Sequence, residues 1–393
     1  MFKKALFIIL IIIISGLSGI IADHYLFPYL STTDFFNKYK FFKQGAENVT
    51  VINKTEQVYV KEDTTLTKIA SPIASSIVNI VSYPNPDLKN TTSTSKVQND
   101  ATMKNGTGLI ATSDGIIMTY ATAIDPADLS KTDTPPAYKY KVMVFDGNTY
   151  DADLLAVDSY SNLAFLKINA SNLPTVQFGN SDDFSAGEKV IAVGNSLAEY
   201  QNIYASGILN TFDPYYNLGG KNISSSEKME GVFRTDLDHE DEYIGGPVID
   251  YSGQVIGIVG STQRDGGLDY FQIPSNKVKI ILDKAIKSDL ANNSQLGIYY
   301  IPLNKTYAAI NNLGTDSGAM IYSPSGQQGL AIIAGTPAAK AGLKINDIIT
   351  QVAGEKIDDN NSLPDLLYKH DKGENVELTV IRDGQEMKIN VQL

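Results

Sequence analysis

Histidine and cysteine usage narrows the chemistry before any element is placed. The chain has no cysteine, so disulfides, thiolate metal sites, cysteine nucleophiles and iron–sulfur clusters are all excluded. It has 3 histidines, His24, His239 and His370. Only His239 sits where a reaction is conceivable, within Asp236-Leu-Asp-His-Glu-Asp-Glu242, where five carboxylates surround one imidazole. Such a cluster is able to hold Ca2+ or Zn2+, and a metal-dependent enzyme built on it would be chelator-sensitive. A solvated acidic loop is the plainer account and is preferred. His239 as general base to Ser225 or Ser226 is the other possibility, but no third group or oxyanion donor accompanies it. His24 adjoins an apolar run and His370 precedes Asp371 near a helix end, and both read as ordinary polar residues. No metal and no cofactor are expected. Lys plus Arg is 32 against 44 for Asp plus Glu, a net charge of -12, so the basic footprint of a nucleic-acid binder is missing.

The elements that would position such residues fall into distinct stretches of the 393 residues. After Lys3 and Lys4, Ala5 to Ala22 runs uncharged for 18 residues, close to the roughly 20 that cross a bilayer as a helix. The lysines place residues 1–4 in the cytoplasm, 5–22 in the membrane as an anchor, and everything from 23 onward outside, at the cell membrane. A cleaved signal peptide is less well supported, because Ile-Ile-Ala before Asp23 is not a small-x-small site. Residues 23–62 read as a juxtamembrane stalk, with an aromatic belt from Tyr25 to Phe42 and a polar stretch from Gln44 to Lys61. Short β-branched runs follow, among them Ile77–Ser82, Ile116–Tyr120, Ala164–Ile168 and Val255–Val259, the pattern of a barrel or sandwich. Pro84–Lys104 and Asp125–Ala137 read as surface loops, Ser275–Leu290 as a helix, and 295–393 as an α+β module.

Several segments together resemble the HtrA family, membrane-tethered trypsin-like serine proteases with a C-terminal PDZ domain. The carriers are Ser71-Pro-Ile-Ala-Ser-Ser-Ile-Val-Asn-Ile80, Gly106-Thr-Gly-Leu-Ile-Ala-Thr-Ser-Asp-Gly-Ile-Ile-Met-Thr119, Phe178-Gly-Asn-Ser-Asp-Asp-Phe-Ser-Ala-Gly-Glu-Lys-Val-Ile-Ala-Val-Gly-Asn195 and Gly245-Gly-Pro-Val-Ile249. Gly253-Gln-Val-Ile-Gly-Ile258, Phe271-Gln-Ile-Pro-Ser275 and Gly335-Thr-Pro-Ala-Ala-Lys-Ala-Gly-Leu343 extend the match in the same order. The resemblance implies a mostly β chain: a transmembrane helix, a trypsin-like double six-stranded β-barrel over 63–290, and an α+β PDZ domain over 295–393.

The same resemblance implies a Ser nucleophile, a His base and an Asp that orients it. None is present where the family pattern places it. The histidine of Gly-x-x-x-Thr-Asn-x-His is Thr122 in Gly115-Ile-Ile-Met-Thr-Tyr-Ala-Thr122. The aspartate of Asp-Leu-Ala-x-Leu-Lys is Asn162 in Asn162-Leu-Ala-Phe-Leu-Lys167, and the serine of Gly-Asn-Ser-Gly-Gly-Pro is Ile244 in Glu242-Tyr-Ile-Gly-Gly-Pro247. Glu242 also replaces the glycine whose N–H serves the oxyanion hole. The expected catalytic set is therefore empty, with Thr122, Asn162, Ile244 and Glu242 as degenerate positions.

In the tail, Gln295-Leu-Gly-Ile298 resembles the apolar-Gly-apolar loop that offers N–H groups to a peptide's terminal carboxylate. A helix over Leu363–Lys369, capped by Ser362, would supply the other wall, giving Leu296, Gly297, Ile298, Leu366 and Leu367 as a peptide-binding set. A purely structural role in the core is the equal alternative. Ser323–Gly329 reads as an insertion, and Asn346 stands where the family has a glycine. The implied function is that of a membrane-anchored pseudoprotease engaged in peptide binding, protein quality control or regulation. Its expected partners are polypeptide C-termini or unfolded segments, and an active family protease, with a homo-oligomer such as a trimer as the family's habit. The alternative is an active serine-type endopeptidase that uses other residues.

Overall fold

The computed structural model describes residues 2–26, 29–30, 33, 68–69, 72–85, 103–124, 138–195, 201–220, 222–237, 241–264 and 266–393, with the side chains at 2–6, 23–24 and 328 left aside. The polar stretch of the expected stalk, nearly all of both expected surface loops, and His239 lie outside these residues. The chain divides into two compact units, 1–62 and 63–393.

In the first unit, helix α1 spans Phe2–Ile21, 20 residues. Its described apolar side chains are exposed on every side, from Phe7 to Ile21. Ser15 and Ser18 turn their hydroxyls back to the carbonyls of Ile12 and Ser15 at 2.9 and 2.8 Å, so neither needs a partner outside the helix. Among the described residues no helix is long and apolar enough to cross a membrane. The transmembrane anchor expected over 5–22 is therefore not supported by the fold.

The second unit holds two closed six-stranded barrels and a third sheet. The first barrel comprises β1 (Ile77–Pro84), β2 (Lys104–Ile110), β3 (Ile116–Tyr120), β4 (Tyr138–Met143), β5 (Thr149–Val157) and β6 (Leu163–Ile168), in the order β1-β2-β3-β6-β5-β4. All five residues of β3 are buried, which is why its sequence is an unbroken apolar run ending in a threonine and a tyrosine rather than an alternation. The next strands are β7 (Lys189–Asn195), β8 (Asn202–Asn217), β9 (Ser224–Ser225), β10 (Glu230–Thr235), β11 (Pro247–Ile249), β12 (Val255–Arg264) and β13 (Gly267–Pro274). All of these except β9 close the second barrel, in the order β10-β13-β12-β11-β7-β8. One buried cluster runs through both barrels, from Ile77 and Leu109 to Phe271 and Ile281. Two four-residue or longer helices flank it: α2 (Ala121–Ile124) directly after β3, and α3 (Ser275–Ile286) after β13. The helix expected to reach Leu290 stops four residues earlier, because Ser288 takes a left-handed φ of 58°.

The third sheet is built on β14 (Tyr299–Leu303), β15 (Gly318–Ile321), β16 (Ile348–Val352), β17 (Glu355–Lys356), β18 (Asn375–Arg382) and β19 (Gln385–Gln392). Helix α4 (Leu363–Tyr368) covers it, with Ser362 as N-cap accepting the Asp365 N–H and Pro364 in the first turn, as the sequence predicts. Asn346 adopts φ 68°, the left-handed turn that asparagine tolerates in place of glycine. The sheet order is β19-β18-β16-β15-β14-β9, with β17 beside β16. Its last strand, β9, comes from the chain between two strands of the second barrel.

Candidate functional site

Two places concentrate the residues singled out by sequence. At the first, α2 carries Thr122 away from the end of β3, and the Ala121 N–H donates to the Asn162 carbonyl at 2.9 Å, setting those positions side by side. Thr122 Oγ1 lies 3.2 Å from Ser261 Oγ on β12. Two hydroxyls in contact offer no group able to take a proton near neutral pH. Asn162 takes a left-handed φ of 62°, and its Nδ2 donates to Tyr120 Oη at 3.3 Å. Burial pushes the Tyr120 phenol up to about 12, so it is neutral and serves as an acceptor. Lys228 Nζ donates to Asn162 Oδ1 at 3.4 Å, a charge–dipole contact where an aspartate would have made an ion pair.

Ile244 faces inward, 5% exposed, within the cluster that joins the barrels. The preceding Asp241–Tyr243 form one turn of 3₁₀ helix, and the Ile244 N–H donates to the Asp241 carbonyl at 3.1 Å. Acyl transfer needs the N–H at this position and the one two residues earlier to converge on a developing oxyanion. Here the first is bonded within the turn, and the second belongs to Glu242, whose carbonyl accepts from Thr107 Oγ1 at 2.5 Å. Thr107 Oγ1 in turn accepts the Asn195 N–H at 2.8 Å, tying the turn to β2 and β7. Gly245 has φ 83°, and a Cβ there would collide with Thr119 Oγ1 and the Thr107 carbonyl; one on Gly246 would collide with the Val193 carbonyl. Both glycines serve close packing whatever the chemistry.

The second place is the loop before β14, where the expected residues come together. The N–H groups of Leu296 and Gly297 both point at Glu227 Oε1, at 3.1 and 2.7 Å. The Ile298 N–H donates to Ser226 Oγ at 3.0 Å, while the Ser226 N–H donates to the Ile298 carbonyl at 3.1 Å. Upstream, Ser225 and Ser224 pair antiparallel with Tyr299 and Tyr300. Gly297 holds φ 83°, the conformation that turns consecutive N–H groups to one side. Leu296, Ile298, Leu366 and Leu367 are all buried in the core of this module, and Leu367 also lines a small pocket with Ser226, Glu227, Gln295, Pro364 and Tyr368. All four thus sit in the core, and of them only Leu367 also borders that pocket.

Buried polar pairs surround that loop. Ser224 Oγ and Tyr300 Oη donate to the two oxygens of Glu230, at 2.8 and 2.7 Å. Burial pushes the Glu230 carboxyl up to about 7, against an ordinary value of 4.5. Lys277 pairs with Asp365 at 2.8 Å, and Tyr160 Oη donates to the other oxygen of Asp365. Tyr160 stacks on Tyr368 with centroids 4.2 Å apart, and Tyr368 Oη and Asn293 Nδ2 donate to buried Asp158 at 3.3 and 3.0 Å. Burial raises the Asp158 carboxyl as well.

Ser225 and Ser226, considered above as nucleophiles, are buried and donate their hydroxyls to Glu227 at 3.2 and 2.7 Å. Neither is free to react. His370 Nδ1 sits 2.8 Å from Glu374 Oε1, whose other oxygen accepts the Asp371 N–H at 3.1 Å, a surface arrangement that closes the turn. Among the described residues no group of three or more His, Asp or Glu is placed to hold a metal. Sequence reasoning missed Glu227 and Glu230. The available signal for Glu227 was an anion-seeking loop with no anion assigned to it.

Two barrels with a trypsin-like arrangement, followed by a module with a carboxylate-binding loop, define a peptidase-fold protein with a PDZ domain. Residues 106–258 match the trypsin-like peptidase domain, and residues 294–393 match the PDZ domain. The chain belongs to the HtrA-like family. It is 28% identical over 359 residues to the serine protease Do-like HtrA of Lactococcus lactis subsp. cremoris, covering 88% of this chain and 86% of that one. It is 30% identical over 290 residues to a "Probable periplasmic serine endoprotease DegP-like" of Chlamydia muridarum, covering 73% of this chain and 53% of the relative. For the Do-like HtrA of Lactobacillus helveticus the figures are 32% over 265 residues, 64% and 61%. The chain thus spans little more than half the length of two of these three relatives. Among solved structures, an HtrA-type protease AlgW with tripeptide aligns at TM-score 0.62 and 21% identity, covering 83% of this chain and 95% of that one. That likeness establishes the fold.

Proposed function

We propose that this chain is an HtrA-like pseudoprotease, held at the membrane by α1, that binds polypeptide ends or partner proteins outside the cytoplasm. The observation that carries the reading is the state of the relic centre. Thr122, Asn162 and Ile244 supply no base, no carboxylate and no nucleophile, and the Ile244 N–H is bonded to Asp241. Loss of a whole triad still leaves an intact oxyanion hole some residual effect, but here the hole's own donor is spent. The 20-residue α1, apolar on every described side and with its serines bonded internally, supports the anchor. A relative named as periplasmic supports the extracytoplasmic location. A solved HtrA-type neighbour named with a bound tripeptide supports peptide binding. The family's habit of oligomerising supports a trimer, and a subunit without chemistry is suited to docking on an active relative.

The competing reading is an active serine endopeptidase that uses other residues, and the relatives' names as serine proteases favour it. A fluorophosphonate probe and fluorescent casein, tested beside an active family member, separate the two. The pseudoprotease reading expects neither labelling nor cleavage. Specific labelling of any serine would overturn it.

A further inference from the structure

A peptide that docks on a PDZ edge runs antiparallel to the strand that follows the carboxylate loop, and its terminal carboxylate meets the loop's N–H groups. Ser224, Ser225, Ser226 and Glu227 reproduce that course step by step. Ser224 faces Tyr300, Ser225 faces Tyr299, Ser226 exchanges hydrogen bonds with Ile298, and Glu227 Oε1 takes the N–H groups of Leu296 and Gly297. The direction is the one a C-terminus would take, and the only chemical difference is that a side-chain carboxylate stands where a main-chain one would. Ser226 Oγ adds a third donor to the same oxygen at 2.7 Å.

From this we infer that the groove carries its own ligand: Ser224–Glu227 occupies it in cis as an imitation of a chain end, and a polypeptide with a free α-carboxylate binds by displacing Glu227. The inference rests on the peptide-binding reading of the groove and assigns its regulation. A resident ligand lowers apparent affinity by the fraction of time the groove is vacant, so an external peptide must outcompete an intramolecular partner at high effective concentration. The small pocket beside Glu227, lined in part by Pro364, Leu367 and Tyr368, is where the last side chain of the incoming peptide would lodge. The ligand class is therefore a chain end with a free carboxylate, and the series of final residues tested below reads what the pocket accepts. An internal segment of an unfolded protein lacks the group that Glu227 imitates.

The test uses the full chain in detergent, as wild type and as Glu227→Ala and Glu227→Gln, with cooperative melting as the check that each variant is folded. Hydrogen exchange is followed at the amides of Leu296, Gly297 and Ile298. Binding is followed by the anisotropy of fluorescein-labelled decapeptides ending in Val, Leu, Ile or Phe, as free acids and as C-terminal amides. Both variants are expected to raise exchange at the loop, and Glu227→Ala to tighten binding of the acids, but not of the amides, by about tenfold or more, since each tenfold is about 1.4 kcal/mol and charge-assisted hydrogen bonds are worth that much. Unchanged exchange at the loop in both variants overturns the inference. Raised exchange with no acid binding keeps Glu227 as the resident ligand and removes the peptide-binding reading. Equal, acid-selective binding by wild type and variants keeps that reading and removes the competition.

Discussion

The region of Thr122, Asn162 and Ile244 between the barrels and the loop before β14 differ in what each presents, although both belong to the same fold. At the first, chemistry rests on three side chains, and three residues of other kinds fill the positions while the barrels stay closed around them. At the second, the donors are backbone N–H groups turned by a glycine at positive φ, and no side-chain change at Leu296 or Ile298 short of proline removes an N–H. On the proposed reading, function carried by side chains is open to loss by substitution, whereas function carried by the main chain lasts as long as the turn does. At the second, the N–H groups of Leu296 and Gly297 are held by the Glu227 carboxylate.

That comparison is open to direct attack. The largest expected effect is at the glycines of the relic centre, because they are retained for packing. Gly246→Ala drives a methyl group into the Val193 carbonyl and should cost about 3 to 5 kcal/mol in thermal or urea unfolding. Thr122→Ala should stay within about 1 kcal/mol, since it loses only one hydroxyl contact to Ser261. Equal costs for the two would break the claim that the fold, not the chemistry, keeps what is kept.

Ile244→Ser restores the family's residue at the nucleophile position and comes next in size. It exchanges a buried apolar side chain for a smaller polar one and should cost about 2 to 4 kcal/mol, with no gain of fluorophosphonate labelling. Labelling of Ser at 244 in that variant would mean that the turn opens and that the oxyanion donor is recoverable.

A pH profile sharpens the other half of the comparison. Burial, the dominant cause, pushes Glu230 up to about 7, and the neighbouring Asp365 pushes the same way, against the Tyr300 and Ser224 hydrogen bonds and the Lys277 charge. A carboxyl raised on folding stabilises the fold fully below its ordinary value of 4.5, and that contribution is lost as pH climbs through about 7. The barrel–PDZ contact should therefore loosen as pH rises from 5 to 7.5, by up to about 3 kcal/mol, since each pKa unit is worth about 1.4 kcal/mol. Glu230→Gln should flatten much of that slope in melting curves, leaving the part due to Asp158, whose carboxyl is raised in the same sense. A wild-type profile that is flat over this range would show that Glu230 is not held buried by the contact.

Much of this was legible in the sequence, for identifiable reasons. The barrel strands at Ile77, Ile116 and Val255 are long enough to show β-branched runs between glycine turns, and the Ser362 cap with Pro364 has a local signature. Ile244 could be set in register by the Gly245-Gly246-Pro247 that follows it, and Asn162 by the Leu-Ala-Phe-Leu-Lys run after it. The β9–β14 pairing was not legible, because two serines carry neither periodicity nor a turn signal and their partner lies more than seventy residues away. Glu230 was hidden for a related reason: a lone glutamate beside a methionine and a glycine has no mark of burial until Tyr300 and Ser224 are folded onto it. The end of α3 was missed because a left-handed serine, unlike a glycine, does not announce itself.

β9 is only two residues long, yet it decides which surface of the third sheet is finished. Without it, the start of β14 would present bare donors and acceptors to any extended chain nearby, the usual template for edge-to-edge association. A fragment cut at the start of the PDZ domain would consequently be a different object from the same residues in the whole protein: adhesive along one border, prone to zipper onto its own copies, and misleading as a gauge of what the intact molecule recognises.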